Sequence, residues 1–378
     1  QSTMTLPTSA SAGDQVAIKD YTGTFATNSV IIARNSHKIQ GLETNSELKT
    51  IRASVLLTYV DATEGWVYTQ ESNVGDLQIA EYISATGGTE STSGNFKIHT
   101  FNSSSNFVVA SLGNAAGGGS WANKVDYAVV AGGGGGGSRH GGGGGAGGFR
   151  EGRVSAPEYT ASPLVAPDGL TVTAQTYPVT VGAGGAGRPG GCVSAGKGGD
   201  SVFSTITSAG GGIGMGIADN GPQPGNKNGG SGGGGVGYTN AANGSGNTPP
   251  VSPPQGNNGG QGYCNPNFSG GGGGGATATG ANAGSGNGGN GGAGATTHIT
   301  GSPVTRAGGG GGGSGCSSSQ GTGGSGGGGN GEGGAGTAPS GTANTGSGGG
   351  GSRSPTGGNG ASGSGGSGVV IVRYKYQN

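Results

Sequence analysis

From residue 131 to its end, this chain has almost no side chains with which to build a core. Of its 102 glycines, 12 fall in residues 1–130 and the other 90 in residues 131–378. About a third of that stretch is glycine, where ordinary usage is about 7%. A composition break this sharp marks a domain boundary. Fixing such backbone costs about 1–2 kcal/mol per residue, and glycine loses roughly 0.5–1 kcal/mol more than alanine. Side-chain burial cannot offset that. What remains is close dispersion contact and backbone hydrogen bonds, worth about 0.5–1.5 kcal/mol net each.

A Gly, Ser and Asn tract can simply stay a flexible linker. One ordered alternative exists. The polyproline II helix has three residues per turn and no internal hydrogen bonds, so its N–H and C=O groups point outward. Without Cβ atoms, neighbouring rods can approach until those groups pair and Cα–H···O contacts form. Collagen is excluded, because the chain has only 16 prolines and no sustained G-X-Y repeat.

Three features favour the packed alternative. Strand-like punctuation recurs inside the glycine half, at Leu170–Ala174, Val179–Val181 and Asp200–Ile206, and the chain closes on Gly368–Tyr376. Short period-three stretches appear: Asn287, Asn290 and Ala293 are separated by glycine pairs, as are Thr322, Ser325 and Gly328. The glycine runs are also interrupted by segments of different texture, as short rods joined by loops require.

The front of the chain reads differently. Val16 and Ile18, Val30–Ile32, Ala53–Val60 and Trp66–Tyr68 are short β-rich runs. They alternate with the turns Asp20–Gly23, Asn35–Ser36 and Asp61–Gly65, the pattern of small antiparallel sheets. Phe96–Val109 and Lys124–Val130 continue it. The expected fold is therefore a mainly β amino-terminal module followed by bundled polyproline II (polyglycine II) helices with short strands, and essentially no α-helix. The expected domains are a β module over 1–90, a β connector over 91–130 and a glycine-rich bundle over 131–378 with a terminal strand at 368–376. Apolar supply in the front is thin, and association completes small β units of this kind. Three chains around one axis is the expected assembly.

Charged residues make up 9% of the chain and net charge is zero. Nucleic-acid binding needs a clustered basic excess, so no nucleic-acid partner is expected. No run of 18 apolar residues occurs, and no membrane insertion is expected. Cys192, Cys264 and Cys316 are odd in number, widely spaced and without CxxC spacing, so inert thiols are expected rather than a disulfide framework or metal cluster. The chain starts at Gln1 without a signal-peptide pattern, which reads as processing or as an incomplete start.

Catalytic motifs do not emerge. Matches to G-x-G-x-x-G carry no meaning in this background, and Gly196-Lys197-Gly198 lacks the Ser or Thr of a phosphate-binding loop. His37, His99, His140 and His298 are scattered and read as surface or capping residues. Carboxylates in the glycine half (Glu151, Glu158, Asp168, Asp200, Asp219 and Glu332) are sparse for a glycan-cleaving pair. The N-x-S/T matches at Asn102, Asn243 and Asn267 are chance occurrences. No enzyme, cofactor or metal is expected.

Tyr127–Ala131 with its following glycines and Gly144–Gly152 form an ordered set with Tyr177–Gly185, Gly199–Phe203 and Gly368–Tyr374. In that order they resemble the glycine-rich domain of bacteriophage virion proteins, common in tail fibres, over about residues 120–378. Gly13–Val16, Ile39–Gly41 and Tyr59–Trp66 are similar, more weakly, to small modules of phage fibre proteins. The resemblance implies an extracellular place on a virion surface, as a fibre or appendage subunit, with trimerisation at least at the front module. It also implies stacked polyproline II helices presenting variable loops to the host. The front β module and the insert at 217–268 depart from that pattern and leave the position in the virion open.

The loops breaking the lattice are the binding candidates, above all 217–228 and 238–268, with 295–306 and 337–346 secondary. Proline rigidifies such loops and aromatics supply contact area. Tyr238, Tyr263 and Phe268 are the expected contacts, with Asn240, Asn243 and Asn258 as sugar-type hydrogen-bond partners. The plainer reading of Tyr263 and Phe268 is that they cap rod ends. The expected function is attachment through a host surface glycan or outer-membrane protein, with the front module joined to other virion proteins. The rival is a structural role in capsid decoration or a filament. Ice binding would need regular Thr spacing, which is not visible.

Overall fold

The computed structural model describes residues 1–72, 80–154, 158–188, 195–217, 226–238, 243–315, 319–334, 336–353 and 360–377. It is built from β-strands and irregular chain. Gly119–Trp121 forms a short 3-10 turn. Two compact units form, Gln1–Tyr82 with Leu112–Ala122, and Ile83–Ser111 with Asn123–Asn378. The division departs from the expected 1–90, 91–130 and 131–378. Residues 83–111 supply strands to the glycine unit, and 112–122 return to the first.

In the first unit, β1 (Ser2–Thr5), β3 (Val30–Ala33) and β4 (Ser46–Leu48) form one three-stranded sheet. A second contains β2 (Gln15–Lys19), β5 (Ser54–Tyr59) and β6 (Trp66–Ser72). Alternation along β5 buries Val55, Leu57 and Tyr59, which join Leu6, Ile32, Ile39, Leu48 and Trp66 in one core. The Asp20 turn is tied down by its carboxylate, which accepts N–H bonds from Gly23, Thr24, Phe25 and Arg52.

Among the described residues the second unit carries fourteen strands. They are β7 (Ser84–Thr86), β8 (Thr89–Ser93), β9 (Phe96–Phe101), β10 (Ser105–Ser111), β11 (Lys124–Val130), β12 (Phe149–Gly152) and β13 (Val165–Ala166), followed by β14 (Leu170–Thr171), β15 (Thr176–Thr180), β16 (Ser201–Phe203), β17 (Ile206–Ser208), β18 (Ala295–Thr297), β19 (Val304–Arg306) and β20 (Val369–Lys375). The main sheet runs β13-β12-β11-β20-β9-β8, with β14 also pairing β11. A second runs β17-β16-β15-β10-β7, and β18-β19 is a hairpin. The closing strand β20 is thus central, between β11 and β9, and its buried run Val369–Tyr374 explains its continuous apolar texture.

Burial extends to charge. Arg373 donates to the fully buried Asp126 at 2.8 Å and lies over the Phe96 ring, 3.6 Å from its centroid. Burial pushes the Asp126 carboxyl up to about 7, against the pull of the Val154 N–H and of Arg373.

The glycine runs leave this sheet as rods. β11 runs directly into Gly132–Gly137, and 141–148 returns to β12. Hydrogen bonding along 141–148 repeats every three residues. Gly142, Gly145 and Gly148 donate to Met215, Gly212 and Ala209. Gly143 and Ala146 donate to Gly271 and Gly274, while Gly141, Gly144 and Gly147 donate to Ser352, Gly349 and Gly346. The carbonyls along this rod in turn accept from Ala131, Gly134 and Gly137, from Ser231 and Gly234, and from Gly310 and Gly313. Three rods receive its donors and three others supply donors to it. Six neighbours around one rod is hexagonal packing, and a three-residue repeat is what a three-fold rod produces.

Glycine is required by the closeness of that packing. A Cβ on Gly144 would lie 2.0 Å from the Gly134 carbonyl oxygen, and one on Gly143 would lie 2.0 Å from that of Gly310. Alanine enters where rods meet the sheet. Ala146, Ala276 and Ala307 are buried with Val130, Phe149, Val369 and Ile371 in one apolar cluster. Rod ends near that cluster form the sheet end of the unit, and the opposite ends form the loop end.

Candidate functional site

Position along the rods sorts the candidate residues. The turn Ser138-Arg139-His140 joins the first two rods at the loop end, with Arg139 and His140 at φ of 55° and 57°. Around it gather other rod ends: the Gly237 N–H donates to the His140 carbonyl, and the Ser314 carbonyl faces the His140 ring at 3.4 Å.

Two of the expected aromatic residues meet there. Phe268 packs against Tyr238 with centroids 5.4 Å apart and against His140 at 5.8 Å. Tyr238 keeps 50% of its surface exposed, while Phe268 is half-buried. Tyr263 and Ser269 exchange backbone hydrogen bonds in both directions, closing the turn that carries Phe268. Cys264, the free thiol among the described residues, donates to the Tyr238 carbonyl at 3.4 Å.

The imidazole of His140 is held below its usual pKa by burial, with the nearby Arg353 charge acting in the same direction and the Ser314 and Phe268 carbonyls opposing. Burial thus favours the uncharged ring. The exposed ensemble is therefore an aromatic platform with a neutral imidazole, suited to contact by ring faces and polar edges. Among the described residues no group of three or more His, Cys, Asp or Glu could hold a metal ion.

The asparagines do not join it. The Asn258 side-chain oxygen accepts the Gly246 N–H at 2.8 Å, and the Asn243 amide donates to the Gly259 carbonyl. Both spend these groups on neighbouring rods, because rods at the lattice margin leave backbone groups that a side chain must satisfy. Asn240 lies outside the described residues, as do Cys192, Cys316 and 218–225 of the 217–228 segment.

Segment 238–268 is also not one loop. Gly244, Gly259 and Gly260 donate to Gly233, Gly244 and Gly272 within the lattice. Its proline-rich middle lies at the sheet end, where Gln255 bonds Pro249, Ala209 and Phe149. Among its described residues, those at its two extremities, near Tyr238 and Tyr263–Phe268, reach the loop end. The secondary loops go elsewhere as well. Residues 295–306 contain the β18-β19 hairpin at the sheet end, where Thr297 donates to the buried Glu151. In 337–346, Ala338 and Gly341 donate to Ala361 and Ser364 as rod residues.

His140 and Arg139 were not expected at the site. Their signal was an S-R-H break between two pure glycine runs, which marks a rod reversal but says nothing of which other loops share that end. Residues 111–375 match the family model of a glycine-rich domain. No curated protein sequence matches the chain.

Proposed function

The chain belongs to the glycine-rich domain family, and from that premise we propose that it is a phage virion fibre or appendage subunit that attaches to the host cell surface through its loop end. The rods are read as polyproline II (polyglycine II) helices, and the assembly as a homotrimer joined to other virion proteins through the front module. Attachment is to a host surface glycan or outer-membrane protein, by contact without catalysis. The observation that carries this reading is the convergence of Tyr238, Phe268 and His140 at one end of a rigid lattice.

The test is to replace 238–242 and 264–267 with glycine–serine segments, leaving the rods untouched. Host adsorption should fall to background while amide protection of 141–148 stays as in the parent. Unchanged adsorption removes the attachment reading. One observation favours the structural rival: Phe268 and the Tyr263–Ser269 bridge close rod ends as caps would. Antibody labelling of intact particles separates the two, since a distal label fits attachment and a label spread over the shell fits decoration.

A further inference from the structure

A hexagonal rod lattice has the same hazard as an open β-sheet. Each outer rod presents unpaired N–H and C=O groups on which another rod can be added. In this chain those margins carry a recurring feature. Asn287 and Asn290, one turn apart on a three-fold rod, accept the N–H groups of Ser319 at 3.2 Å and Thr322 at 2.9 Å on the adjacent rod. Asn330 does the same for Gly323, Asn258 for Gly246, Asn282 for Gln261 and Asn228 for Ser245, each at 2.8 Å. All six bonds lie in exposed surroundings. Within the lattice the corresponding N–H groups donate to rod carbonyls instead, as Gly321 does to Gly312 and Gly324 to Gly309.

We propose that these asparagines are perimeter caps that stop the glycine lattice from growing by addition of rods from a second copy of the chain. The device has two parts. The side-chain oxygen occupies a donor that an incoming rod would use. The Cβ also blocks approach: inside the lattice, a Cβ built on a glycine lies about 2 Å from a neighbouring carbonyl, as at Gly291 against Gly309 and at Gly321 against Gly289. A rod that carries a side chain on its outer face therefore cannot be packed against at lattice distance. This accounts for the period-three placement of Asn287 and Asn290, which keeps the side chains on one face and leaves the inward faces bare. It also gives Asn258 a role unconnected with ligand binding, and it is independent of what the loop end recognises.

Two sets of variants of the full chain test the proposal. Asn258, Asn282, Asn287, Asn290 and Asn330 are changed together to glycine in one protein and to alanine in the other. Both sets lose the caps, so exchange of the Thr322 amide should accelerate by about tenfold in each, the equivalent of one lost hydrogen bond. Only the glycine set also clears the steric block. Sedimentation velocity should show concentration-dependent species larger than the parent for the glycine set, and the parent distribution for the alanine set. Amide protection of 141–148 reports that the inner rods remain folded. If the glycine set fails that check, the single substitutions Asn290→Gly and Asn290→Ala are compared for dimer formation in the same way. A parent-like distribution for the folded glycine variant overturns the proposal. So does equal association of the alanine variant.

Discussion

Consider Gly144→Ala, a single methyl placed inside the lattice. Gly144 is buried, donates to Gly349 at 2.8 Å and accepts from Gly310 at 2.9 Å. Its new Cβ would sit 2.0 Å from the Gly134 oxygen and 2.7 Å from the Gly134 carbonyl carbon. Carbon–oxygen contacts settle at about 3.3–3.6 Å, so the two rods must separate by more than about 1 Å. Their joining bonds, Gly134 to Gly145 at 2.9 Å and Gly137 to Gly142 at 2.8 Å, would then stretch beyond hydrogen-bonding range. Each broken bond leaves buried groups unpaired at about 1–3 kcal/mol. Losing two bonds sums to about 2–6 kcal/mol of destabilisation. In a flexible linker the same change would stabilise any ordered state by about 0.4–1 kcal/mol, through the unfolded chain. The sign separates the two pictures. Gly284→Ala is the internal control: it is exposed, its φ is ordinary, and the nearest atom to its Cβ is the Asn287 Cβ at 3.9 Å. Urea unfolding with amide exchange read over residues 132–148 measures both. The expectation is a loss of about 2 kcal/mol or more for Gly144→Ala and little change for Gly284→Ala. A Gly144→Ala protein within about 0.5 kcal/mol of the parent refutes the close-packing argument.

Further outcomes follow from the same structure. Arg373→Met leaves Asp126 buried without its partner and should cost about 3–5 kcal/mol at pH 8; calorimetry should find a smaller loss at pH 5, where the raised pKa lets Asp126 take up a proton. His99 is buried against Phe107 and Tyr374, and burial holds its pKa below the ordinary value. A depressed base contributes stability above its unfolded pKa that is lost as pH falls below about 6.5; His99→Gln should flatten that acid limb in a pH series of melting temperatures, and an unchanged slope counts against it. Trp66→Ala empties a fully buried site in the first unit and should cost about 3–5 kcal/mol by urea titration.

The sequence by itself determined that residues 131–378 have too few side chains for an ordinary core, and that order there had to come from backbone pairing. It also located β2, β3, β5 and the closing strand, because β-branched runs bounded by turn residues are local signals. Period-three placement of Asn287 and Asn290 marked one face of a rod before any neighbour was known. What lay on that face was not legible. A glycine run has no side chains to encode its register, so nothing local states that 141–148 touches 209–216, 270–275 and 346–352. Tertiary structure alone decided which rods are adjacent and therefore which loops share an end. It brought His140 to Tyr238 and Phe268, 98 and 128 residues further along the chain, sent the proline-rich segment to the opposite end, and turned Asn258 into a cap. The physical reason is the same in each case: in a lattice joined by identical backbone groups, a residue's surroundings depend on rod order rather than on its own side chain.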